Sequence, residues 1–120
     1  MELQSYGGYK THDGAGGQTV YRWTDLNNLI ELKIQPSQKI RNHSTEFNWG
    51  YGGSGPAQLA LAILLDVTGD QKVAEEFHQW FKEDIVARWG QRWAITATEV
   101  LTWLVLEQKR HEEYLKEKGD

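Results

Sequence analysis

The spacing of apolar and polar positions changes period once along the chain, near residue 56. Before that point the apolar residues come in short runs. Tyr6 to Thr11 reads as a short strand leading into a turn at Asp13-Gly14, a dipeptide suited to tight hairpin geometry. Thr19-Val-Tyr-Arg-Trp23 is β-branched and aromatic, the composition of a strand. Leu29 to Ile34 sets Ile30, Leu32 and Ile34 against Glu31 and Lys33, a half-buried strand that Pro36 ends. Three short strands predict a small antiparallel meander over 6–35, followed by a loop at 36–55.

After residue 56 the period becomes helical. Pro56 to Val67 is nearly all apolar, with Gln58 and Asp66 as its polar members and Thr68-Gly69 as its end. Proline is tolerated in a first turn, and glycine suits a helix stop. A helix this apolar must be covered on most sides, so it is predicted to be central. Asp70 to Trp89 is amphipathic through Val73, Phe77, Trp80, Phe81 and Ile85, with Asp84 as a polar intruder and Gly90 as its stop. Trp93-Ala-Ile95 reads as an extended connector. Thr96-Ala-Thr-Glu99 matches a capping box and opens a third helix, apolar from Val100 to Leu106 and then charged through Lys118. The fold expected is α+β: a β-meander followed by three helices, one domain over 1–120.

Composition narrows the chemistry. The chain lacks cysteine, which removes disulfides, thiolate zinc sites and Cys nucleophiles. Thirteen basic and 17 acidic side chains, a net charge of −4, make a general nucleic-acid binder an unfavoured reading. The longest apolar run has seven residues, Leu59 to Leu65, too few to span a membrane. No basic stretch followed by an apolar one opens the chain, so a cytoplasmic protein is expected. Yet six Trp, five Tyr and three Phe stand in a chain whose mean hydropathy is only −0.65. Aromatics carry much of its apolar content. Trp23, Phe77, Trp80 and Trp103 are expected in the core.

The candidate site is the glycine-rich entry to the central helix. Gly52-Gly-Ser-Gly55 precedes Pro56, and a helix start exposes amides that no helical carbonyl satisfies. Gly52, Gly53 and Ser54 then form the loop, Gln58 lies in the first turn, and Trp49 and Tyr51 stand ready to stack on a ring. Arg41, Asn42 and His43 supply donors upstream. Together these suit a small anionic or nucleotide-like ligand. The competing reading is structural: the glycines let a buried helix enter tightly, and the polar side chains bond the turn. A second candidate is a protein interface at Trp89, Arg92 and Trp93, residue types enriched in interface hot spots.

Enzyme templates fit poorly. Pro56 follows Gly55 where a phosphate-binding loop needs Lys, and it also replaces the last glycine of a nucleophile elbow. No catalytic residue, cofactor or metal site is assigned. Glu75-x-x-His78 has the spacing of one half of a di-iron motif, without its second half.

Asn42-His-Ser44, then Phe47-Asn-Trp-Gly-Tyr-Gly-Gly-Ser-Gly-Pro-Ala-Gln-Leu-Ala-Leu-Ala-Ile-Leu-Leu65, then Phe81-Lys82 and Val86-Ala-Arg88 resemble a family of small uncharacterised proteins of bacteria, phages and plasmids. The resemblance covers most of residues 6–104 and implies a shared fold, with no activity attached. The expected function is a non-enzymatic binding protein, an accessory or anti-defence protein of a phage or mobile element. It would act through a protein partner, with self-association open, or sequester a small anion at the 41–58 loop. A small enzyme using His43 and Ser54 is the alternative.

Overall fold

A computed structural model describes residues 4–11, 16–25 and 27–119. The expected Asp13-Gly14 turn and His12 lie outside the described residues. Three strands, β1 (Ser5–Tyr9), β2 (Val20–Trp23) and β3 (Ile30–Glu31), precede a one-turn helix α1 (Gln35–Gln38). Helices α2 (Ser54–Thr68) and α3 (Gln71–Asp84) follow, then a 3-10 turn at Val86–Arg88, strand β4 (Arg92–Thr96) and the long helix α4 (Ala97–Gly119). The fold is α+β.

Two expectations need correction. The segment around Trp93-Ala-Ile95 is a strand, not a connector: β4 pairs antiparallel with β1 from Ser5↔Thr96 to Tyr9↔Arg92. The sheet therefore has the order β3-β2-β1-β4, closed by a strand drawn from after α3. Five residues with Trp93 and Ile95 buried carry the alternation of a strand, but too few to separate it from an extended link by pattern alone. The loop expected at 36–55 also contains α1, because Ser37 Oγ bonds the Ile34 carbonyl at 2.7 Å and closes a helical turn.

Alternation sorts the sheet into two faces. Tyr6, Val20, Leu32, Trp93 and Ile95 point toward the helices and are buried. Tyr9, Tyr21, Trp23 and Arg92 lie at the other parity. The face assigned to Leu32 in sequence is correct, although the paired strand β3 is only two residues long and Ile30 is left exposed at the sheet edge.

Helix α2 is the centre of the core, with every residue from Gly55 to Leu64 buried. It begins two residues earlier than the sequence pattern placed it. Gly69 ends it in the left-handed conformation (φ 66°), its amide bonding the Leu65 carbonyl at 2.8 Å. Asp70 then caps α3 by accepting from the Val73 amide. Helix α3 stops at Asp84, earlier than the expected Trp89. The capping box opens α4 as predicted: Glu99 N donates to Thr96 Oγ1 and Thr96 N to Glu99 Oε1, both at 3.0 Å.

The polar exceptions of the apolar helices are fasteners. Asp66 accepts from the Tyr6 hydroxyl at 2.6 Å and from Arg22 at 2.7 Å, tying α2 to β1 and β2. Burial, followed by the neighbouring Asp66 carboxylate, holds the Tyr6 phenol far above its usual range, so it remains a donor at any physiological pH. Asp84 accepts from Trp103 Nε1 at 3.0 Å and docks α4 on α3. The aromatics divide differently from expectation. Phe77 is buried, but Trp80 is 39% exposed and Trp23 and Trp103 are half-buried. Trp103 packs against the core from its margin, whereas Trp23 lies on the sheet face turned away from the helices.

Candidate functional site

The loop between α1 and α2 divides into two arms. The upstream arm, Arg41 to Ser44, packs toward α3. Gln58 is completely buried in α2, and its Oε1 accepts from the His43 amide at 2.7 Å and the Ser44 amide at 3.0 Å. Its Nε2 donates to Ser37 Oγ at 2.8 Å. One side chain thus binds α2, α1 and the loop together. Its polar groups are engaged inside the protein, which favours the structural reading of this residue over the ligand reading. Arg41 faces Glu75 at 3.7 Å, and Asn42 Oδ1 accepts a long bond, 3.4 Å, from Gln38.

His43 is paired, contrary to its isolated place in the sequence. Its Nε2 lies 2.9 Å from Nε2 of the buried His78. His78 Nδ1 is 2.6 Å from the Glu75 carbonyl, an acceptor only, so Nδ1 carries the proton. Neutral His78 then accepts at Nε2, and His43 donates. Burial foremost lowers the pKa of both rings. Arg41 and Lys82 lower that of His43 further; for His78, His43 and Arg41 oppose the backbone carbonyl contacts that raise it.

The sign of the resulting pH dependence follows directly. Both folded-state pKa values lie below the ordinary 6.5, so the unfolded chain binds protons first as pH falls. Stability is complete above about pH 6.5 and is lost progressively as pH drops through the lowered folded-state values. Urea unfolding at pH 7.5 and pH 5 is expected to show this loss, and His43→Asn to flatten it. An equal slope in native and variant chains would contradict the pairing.

The downstream arm turns the other way. Gly50 adopts φ 85°, and a Cβ there would stand 2.9 Å from the Trp89 carbonyl. This turn sends Trp49 into the core and leaves Tyr51 48% exposed. Trp49 is wholly buried, its Nε1 donating to the Gly90 carbonyl at 2.8 Å. The Tyr51 ring folds back over the helix entry: Cβ atoms at Gly53 and Gly55 would lie 2.5 Å from Tyr51 Cε2 and 3.3 Å from Tyr51 Oη. These glycines make room for Tyr51 and for Asn48, 2.9 Å from the Gly55 position. Gly52 faces open space. The Ser54 and Gly55 amides have no acceptor among the described residues.

The two candidate sites of the sequence are joined at this end. Trp93 stacks on Trp89 with centroids 3.8 Å apart and meets Trp49 edge-on at 5.6 Å. Trp93 is only 8% exposed, which corrects its expected outward placement, and its Nε1 has no hydrogen-bond partner among the described residues. Trp89 is half-buried and Arg92 exposed. Lys10, unmarked in the sequence, places its ammonium 5.8 Å from the ring centres of both Trp49 and Tyr51. The result is a rigid indole stack whose outer rim presents Tyr51, Trp89 and Lys10, whereas Arg92 lies at the opposite sheet parity, over the Tyr9 ring, and does not join it.

Other clusters hold less chemistry. Ser54 is exposed, with no hydrogen bond to His43 or to another base among the described residues. Glu107 is buried between Arg110 at 2.9 Å and His111 at 3.5 Å. Among the described residues no three His, Cys, Asp or Glu gather as a metal site, and no helix is long and apolar enough to cross a membrane.

No curated protein and no solved structure matches the chain. One family model does, a family of unknown function (DUF6166), over residues 6–106. That span takes in the sheet apart from Ser5, the helix entry, the indole stack and α4 as far as Leu106. The chain belongs to the DUF6166 family.

Proposed function

We propose that the protein is a non-enzymatic binding module that acts through a protein partner, as an accessory protein of a phage or other mobile element. The partner docks on the rim of the indole stack. One observation carries this reading: the Lys10 ammonium stands 5.8 Å from the ring centres of both Trp49 and Tyr51, and the Tyr51 ring covers the entry to α2. A fixed cation, a helix N-terminus and exposed rings together favour an acidic group flanked by apolar contact. The rigidity of the stack lowers the ordering cost of binding. Gly53 and Gly55 are occupied by Tyr51 and Asn48, and the cavities of about 360 and 440 Å³ lie at other residues. A docking surface therefore accords better with this geometry than an enclosed ligand site. The alternative with Ser54 as nucleophile lacks support, since among the described residues no base is hydrogen-bonded to its hydroxyl.

The test uses Tyr51→Ala, at an exposed position, and Lys10→Glu, at a half-buried one. A partner captured by the native chain in its source cells is purified and its Kd measured against each variant. Lys10→Glu is expected to weaken binding at least about tenfold, the scale of a reversed charge at a close pair. Nucleotides and inorganic phosphate are expected to leave the melting temperature unchanged. Undiminished binding by both variants would overturn the assignment. Stabilisation by a nucleotide that Lys10→Glu abolishes would replace the partner with a small ligand.

A further inference from the structure

The sheet face turned away from the helices carries Tyr9, Tyr21 and Trp23, and no described helix packs on it. Tyr9, Tyr21 and Leu29 are all exposed, an unusual concentration of large apolar side chains for one surface. Between them runs a cleft of about 440 Å³, floored by Gly7 and Gly8. The Trp23 ring lies across Gly7, 2.7 Å from where a Cβ would stand, and forms one wall.

The chemistry of the walls is one-sided. No charged side chain lines the cleft. Its polar side-chain groups are the hydroxyls of Thr11, Thr19 and Tyr21, the phenol of Tyr9 and the indole N–H groups of Trp23 and Trp93, the latter buried beneath Gly8. Each can donate a hydrogen bond, and Trp23 Nε1 can only donate. Thr19, Tyr21 and Trp23 have no hydrogen-bond partner for these groups among the described residues. The indole N–H groups can only donate and the hydroxyls can donate or accept, so an uncharged occupant that offers acceptors and apolar rings satisfies every group.

We propose that this cleft binds a proline-rich segment of another protein in the polyproline II conformation. Proline has no amide N–H, so such a segment presents carbonyl acceptors and pyrrolidine rings to its surroundings. Aromatic ridges with hydroxyl and indole donors between them are the matching surface. A nucleic-acid segment carries phosphates, which demand cations that the cleft lacks. Arg92, whose guanidinium stands 5.3 Å over the Tyr9 ring, lies beside the cleft and favours an acidic residue flanking the prolines. This proposal does not rest on the Lys10 surface, and either can fail without the other.

The test titrates the full chain with a decaproline peptide, the same peptide ending in Glu, and decamers of deoxythymidine and uridine. Tryptophan fluorescence and calorimetry follow binding. Both peptides are expected to bind saturably, the Glu-ended one more tightly. Tyr21→Ala is expected to weaken them about tenfold and Trp23→Phe severalfold, as loss of a ring contact and of one hydrogen bond would. Tyr21→Phe, which keeps the ring and the fold, separates hydroxyl loss from misfolding and is expected to weaken binding severalfold. Lys10→Glu is expected to leave it unchanged. No peptide binding at millimolar concentration, or binding indifferent to the Tyr21 and Trp23 variants, would overturn the proposal. Preferential binding of an oligonucleotide, lost in Tyr21→Ala, would overturn it in favour of nucleic acid.

Discussion

Gln58→Leu is expected to lower the unfolding free energy by about 3–5 kcal/mol, one of the two largest single effects in the molecule. Leucine fills much of the same volume, so the loss comes from hydrogen bonding. The His43 and Ser44 amides lose their acceptor, and Ser37 loses the donor at its hydroxyl oxygen. Each buried donor left without a partner costs about 1–3 kcal/mol. The consequence is also local. With its two amides released, the upstream arm no longer has a reason to follow α2, and Lys39 and Arg41 become sites for trypsin. A lower urea midpoint together with early cleavage after Arg41 is the expected pair of results. A loss below about 1 kcal/mol with an unchanged tryptic pattern would show that Gln58 is not the fastener.

Trp49→Ala is expected to cost about 3–5 kcal/mol, the usual range for deleting a buried indole. The wholly buried ring packs edge-on to Trp93 and close to Gly8, and its N–H satisfies the Gly90 carbonyl. Trp93 would lose one of its two ring neighbours, so the near-ultraviolet circular dichroism of the Trp89–Trp93 stack is expected to fall with it. Trp49→Phe should lie between the two, since it keeps most of the apolar contact and loses the hydrogen bond. If Trp49 were a solvent-facing ring awaiting a ligand, alanine would cost less than about 1 kcal/mol.

Local pattern predicted the elements that own their periodicity. The apolar run at 56–67, the amphipathic run after Asp70 and the Thr96–Glu99 capping box all formed close to where spacing put them. β4 was hidden because its partner, β1, lies more than 80 residues upstream, and nothing in Trp93-Ala-Ile95 names that partner. Sequence separation, though less than half as great, also concealed the His43–His78 pair, 35 residues apart, and the position of Lys10 against Tyr51. Gln58 and Asp66 did give a signal. Polar residues in a helix that must be buried need partners, and both are hydrogen-bonded across elements.

The aromatic assignments failed for a related reason. Position on a helix face says which side a ring occupies, not how far the neighbouring element extends over it. Trp80 follows the apolar spacing of α3, yet it sits at the rim, where His111 meets it at 4.2 Å. Trp93 was assigned outward from its place at a helix end, but strand parity turns it inward beside Trp49. The glycine-rich entry was readable as special without revealing its purpose. Gly50 redirects the chain, and Gly53 and Gly55 seat the ring of Tyr51.

Photo-crosslinking in the cells that make the protein tests the docking surface most directly. A benzoylphenylalanine replaces Tyr51 in one chain and Glu76, exposed on α3, in another. The account predicts one discrete crosslinked protein from position 51, weakened by an added Lys10→Glu, and none from position 76. The same partner crosslinked from position 76 and not from position 51 would contradict it.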